Sequence, residues 1–80
     1  MKRQIALVGG QLVPVYLGIR ERNPEHVHLI YSDELVSKVK TLKSQFNSVV
    51  FSDHIVDPYD FQELSDLVES LVFENDNDSW

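Results

Sequence analysis

The chain contains no cysteine. That excludes a disulfide framework and a thiolate metal site, and it accords with a reducing compartment. There is also no long apolar run. A bilayer span needs roughly 20 apolar residues, whereas the opening run Ile5-Ala6-Leu7-Val8 is interrupted by Gly9-Gly10. The same run is too short for the core of a secretory signal, so a cytoplasmic protein without membrane contact is expected. No internal repeat or low-complexity segment stands out. Lys and Arg are missing from residues 44–80, which hold nine acids, while residues 1–43 hold all seven basic side chains and four acids. A net charge of −6 makes duplex DNA a poor partner, because phosphate neutralisation needs Lys and Arg. A small anionic ligand at the N-terminal half stays compatible with this distribution. The acids of the second half read as a solvated helix face and a soluble tail.

Eighty residues, 42% of them hydrophobic and 25% charged, suit one globular domain. A chain this short removes only about 60% of its unfolded-state surface on folding, so a partner surface would help it. Residues 4–8 form a short apolar run of the kind found in a strand buried on both faces of a parallel sheet. Residues 11–23 follow as a helix, with Leu12, Tyr16 and Ile19 at helical spacing and Val13 and Leu17 beside them. Pro14 falls in the first turn, where its missing N–H costs little. Gly18 weakens the helix interior, with close approach to the sheet as the expected return. Asn23-Pro24 ends it. The second strand is Val27 to Tyr31. Ser32 is the expected cap of a second helix carrying Leu35, Val39, Leu42 and Phe46 on one side. Val49 to Phe51 is the third strand. Asp57 then caps a third helix with Pro58 at its first position, and Phe61, Leu64, Leu67, Val68, Leu71 and Val72 form its apolar stripe.

The order β-α-β-α-β-α predicts an α/β fold: a three-layer, Rossmann-like unit with a parallel sheet, ordered 3-2-1 or 2-1-3, covering residues 1–74 and followed by a polar tail at 75–80. Three strands leave two edges, so the unit is expected to belong to a larger sheet or to be completed by another chain.

In open α/β sheets, ligands sit beyond the carboxyl ends of the strands. Three segments are expected there: Gly9-Gly10-Gln11, Tyr31-Ser32-Asp33 and Ser52-Asp53-His54. Gly9-Gly10 precedes a helix N-terminus, whose free N–H groups and dipole favour anions. Neither GxGxxG nor GxxxxGK[ST] is present, and on spacing alone a plain turn with positive φ is the favoured explanation of two glycines. Asp53 and His54 are adjacent, so on a strand they point to opposite faces. His26 and His28 share a side but have no third metal ligand at suitable spacing, and no serine has a base partner in the sequence. No catalytic residue, metal site or cofactor is expected.

Residues Ile5 to Val15, with the loop Gly9-Gly10-Gln11 and Pro14 just inside the helix, resemble the opening of CARF domains, the CRISPR-associated Rossmann-fold sensors. The likeness is greatest to the subgroup in which a CARF domain precedes a restriction-endonuclease-like nuclease domain. His26 to Ser32 also looks like that subgroup, and the resemblance spans residues 3–56. It implies a homodimeric sensor of a cyclic oligoadenylate made during type III CRISPR antiviral defence; some relatives also open the ring as nucleases, but no acid, base or nucleophile for that can be placed in this sequence. Gly9, Gly10, Gln11 and Leu12 would form the first ligand loop, and Ser32 and Asp33 would flank the pocket. CARF domains continue to a second ligand loop containing glycine and threonine, which has no counterpart here. The resemblance therefore implies the N-terminal portion of such a domain or a stand-alone relative. The alternative is a non-enzymatic interaction or dimerisation domain. The first helix carries a broad apolar surface, Leu12, Val13, Tyr16, Leu17 and Ile19, and its part near Leu12, Val13 and Tyr16 is the expected contact of a symmetric dimer.

Overall fold

A computed structural model describes residues 2–57 and 59–74. Three strands and three α-helices alternate: β1 (Arg3–Leu7), α1 (Val13–Arg22), β2 (His26–Tyr31), α2 (Val36–Lys43), β3 (Val50–Ile55) and α3 (Phe61–Glu74). The sheet is parallel, in the order β1-β2-β3, which is the expected 3-2-1 read from the other edge. Successive strands therefore sit side by side, and both crossover helices cover one face.

That face carries the core. Strand alternation puts Ala6, Val8, Val27, Leu29 and Tyr31 on it, and Ile19 of α1 with Val39 and Leu42 of α2 close over them. The β-branched and aromatic content of β2 suits a central strand, and its residues 27–31 are buried. The opposite face holds Arg3, Ile5, Leu7, His26, His28, Ile30, Ser52 and His54, and α3 lies against it near Leu7 and Ile30. The α/β architecture is thus three-layered, with two helices above the sheet and one below.

Local chemistry accounts for most boundaries. Asn23 ends α1 in the left-handed region at φ 47°, its N–H bonded to Ile19 O at 2.9 Å, a common helix stop. The expected cap at Ser32 is not formed. The chain instead enters a 3₁₀ turn at Asp33–Leu35, and Ser32 Oγ donates to Glu34 Oε1 at 3.3 Å. The expected start of the third helix at Asp57 also moves. Asp57 Oδ1 accepts the Tyr59 N–H in a tight turn, and Asp60 Oδ1 accepts the Glu63 N–H, so Asp60 caps a helix beginning at Phe61. Pro58 and the tail at 75–80 lie outside the described residues. Gly18 is not needed for close approach: a Cβ there would sit 3.7 Å from Gln4 Nε2, an ordinary contact. Among the described residues, no helix is long and apolar enough to cross a membrane.

Candidate functional site

The carboxyl ends of the strands frame a cleft of about 350 Å³, lined by Gly9, Gly10, Ile30, Ser32, Glu34 and Val56, among others. Gly9, Gly10 and Ser32 are thus brought together as expected. Gln11 is exposed beside the cleft without lining it. Leu12 faces a separate groove between α1 and α2, with Tyr16 and Leu42. Asp33 faces an adjoining acidic cleft with Glu34 and Asp57.

The glycine pair is not explained by its own backbone. Neither glycine has positive φ, so a left-handed backbone is not what calls for glycine at this bend. A Cβ built on either meets nothing within 4 Å. Side chains would therefore fit within this chain, and the bare backbone leaves open space in front of the start of α1. Lys38 reaches across from α2 and donates to Gly10 O at 3.1 Å, placing a cation at the loop. Glu34 sets a carboxylate on the same cleft.

The third expected segment, Ser52-Asp53-His54, is not at a strand end. β3 runs on to Ile55, so these residues lie inside it, and Asp53 and His54 point to opposite faces. Asp53 accepts from Tyr31 Oη at 2.9 Å and from Lys43 Nζ at 2.6 Å, so β3 stays extended although this stretch is polar. Burial, then the bond to Asp53, pushes the Tyr31 hydroxyl up to about 12.

On the other face, His54 completes a cluster with Arg3, His26, His28 and Ser52. His26 and His28 share a side as expected, stacked with ring centroids 4.4 Å apart. His28 is a buried residue of the central strand rather than a surface or sheet-edge histidine. Arg3 Nη1 lies 2.9 Å from His26 Nδ1 and 3.2 Å from His28 Nε2. A guanidinium can only donate, so both ring nitrogens accept, and the proton of each neutral ring sits on the other nitrogen. His26 Nε2–H then donates to Ser52 Oγ at 2.7 Å, and His28 Nδ1–H to His54 Nε2 at 3.2 Å. Serine activation needs the reverse, an imidazole accepting from the hydroxyl, so this pair is no nucleophile dyad. Burial first, then the neighbouring His26, His54 and Arg3, lowers His28 to about 4. Among the described residues no group of three or more His, Asp or Glu is placed to hold a metal. The signal for this cluster was parity: Arg3, the three histidines and Ser52 share a face only once β3 extends past Phe51.

Comparisons with protein-family models, with curated proteins and with solved structures find no match to the chain.

Proposed function

We propose that this chain is a CARF-like sensing module that binds a cyclic oligoadenylate second messenger of type III CRISPR antiviral defence at the carboxyl ends of its strands. The observation that carries the reading is the Gly9-Gly10 pair: glycine is required there neither by φ nor by any contact within the chain, so the open backbone serves something outside it. Backbone N–H groups at residues 9–12 are the phosphate donors, supported by the positive end of α1. Lys38, already bonded to Gly10 O, supplies the cation. Gln11, exposed at the rim, contacts a base or ribose. The module does no chemistry on its ligand.

Isothermal titration with cyclic tetra-adenylate and cyclic hexa-adenylate tests it. The wild type should bind one of the two. Gly10→Val should abolish binding while the urea midpoint stays put, because the new side chain enters open space. Glu34→Gln should tighten binding by removing a repulsive carboxylate from the cleft. Silence of a folded wild type toward both ligands overturns the reading.

The second reading is a non-enzymatic dimerisation domain. The exposure of Val13 and Leu17, 67% and 48%, favours it. Of the expected contact only Val13 stays exposed, since Leu12 and Tyr16 pack against the core, and Leu17 joins it from the next turn. Sedimentation of the same samples separates a homodimer from a monomer.

A further inference from the structure

The two edges of the sheet are built differently. β1 pairs with β2 through its even-numbered residues: Lys2 O accepts from the Glu25 and His26 N–H groups at 3.0 and 3.3 Å, and Val8 N donates to Ile30 O at 2.9 Å. By ladder alternation, Ile5 and Leu7 turn their N–H and C=O groups outward. At the opposite edge, β3 carries Asp53 locked to Lys43, the kind of charge that discourages strand addition. The β1 edge has no such guard at Ile5 and Leu7. Beside it runs a groove of about 590 Å³ between Leu7 and α3, floored by Phe61, Leu64, Val68 and Val72. The stripe of α3 is open at its two ends: Leu71 is buried and Leu64, Leu67 and Val68 are half-buried, while Phe61 and Val72 are exposed, as is the adjoining Phe73. α3 carries Glu63, Asp66, Glu69 and Glu74 and no basic residue, and Glu69 lines the groove.

We infer that the outer edge of β1 takes up a fourth β-strand from a partner polypeptide, an extended segment apolar on the side meeting α3 and basic near Glu69. Outward backbone donors and acceptors beside an apolar helix face call for an extended peptide, since a helix or a small molecule would leave them unpaired. The helix supplies the face that a parallel edge strand normally requires. The acidic flank sets the sign of the partner's charge.

A capped nonapeptide of alternating Val and Thr, with Lys in place of one terminal Val so that its cation lies on the α3 side near Glu69, is the probe, with amide hydrogen exchange of the full chain as the readout. The peptide should slow exchange at Ile5 and Leu7 at least tenfold and leave Val8, already bonded to β2, unchanged. Two N-methylated forms keep charge and side chains, one methylated at the residues facing α3 and one at those between; the first lacks donors toward β1 in an antiparallel strand and the second in a parallel one, so one of the two should protect nothing. Ile5→Pro removes an outward N–H without touching the β1–β2 ladder, and should abolish protection at Leu7 in a protein that retains its circular dichroism. Should that variant unfold, Phe73→Glu tests the same groove through α3 and should weaken protection. No slowing at Ile5 and Leu7 overturns the inference. So does slowing confined to Asp53 and Ile55, which would assign the β3 edge. Protection that rises with protein concentration without peptide also overturns it, because a second copy would then be the occupant.

Discussion

The two faces of one three-stranded sheet differ in how they are closed. The face under α1 and α2 is apolar and sealed: Val27, Leu29, Ile19 and Val39 are its largest fully buried side chains. The face toward α3 carries Arg3, three histidines and Ser52, and its helix has one fully buried apolar residue, Leu71, with Phe61 and Val72 left exposed. Alternate residues of the one strand β2 build the two faces, Val27, Leu29 and Tyr31 on one and His26, His28 and Ile30 on the other, so composition alone does not separate them. The sealed face holds the unit together by removing apolar area from water. The α3 face is held by directional hydrogen bonds whose direction depends on one arginine. It is the face on which stability should respond to pH and partners.

The sharpest way to break this contrast is a cavity on the sealed face. Leu29→Ala should cost about 3 kcal/mol, a large part of the stability of a domain this size. Urea unfolding should show a midpoint far below that of Phe73→Ala on the other face, which should stay within about 0.5 kcal/mol of the wild type. Equal losses would mean that α3 is as well seated as α1.

A smaller effect should come from proton linkage at His28. Its folded value of about 4 lies below the ordinary 6.5. Between these values the unfolded chain binds the extra proton, so stability is full above pH 6.5, falls as pH drops toward 4, and levels off below that. The loss from this group should be on the order of 1–2 kcal/mol, allowing for solvent screening near the cluster. Urea titrations at several pH values check it. His28→Gln should flatten the slope in this window, and an unchanged slope would remove His28 as its source.

The smallest effect sharpens the comparison on the sealed side. Gly18→Ala should stabilise by up to about 1 kcal/mol, since its φ is not positive and the new methyl meets only Gln4 Nε2 at contact distance. A thermal melt reads it. A lower melting temperature would mean that α1 and β1 pack more tightly than that distance implies.

Much of this was legible in the residues. The apolar run before Gly9, the spacing of Leu35, Val39, Leu42 and Phe46, and the stripe of the third helix each identify their element, because burial on one face imposes a period. The end of β3 was not legible. Ser52, Asp53 and His54 are poor strand formers, and their extended backbone is held by partners more than twenty positions away on β2 and by Lys43. The candidate cleft was half legible. Gly9, Gly10 and Ser32 follow from the rule that loops converge beyond parallel strands, whereas Leu12 and Asp33 turn into neighbouring grooves.

By itself the sequence determined the alternation of strands and helices, the parallel sheet that short crossovers permit, and the acidic charge of the second half, since periodicity and charge are local properties of a chain. Only the tertiary structure decided that Arg3 meets two histidines and a third joins them through His28, that two glycines front open space, and that Ile5 and Leu7 face an uncovered edge. Those depend on strand register, and register is set by how separate segments pack, which no single segment contains.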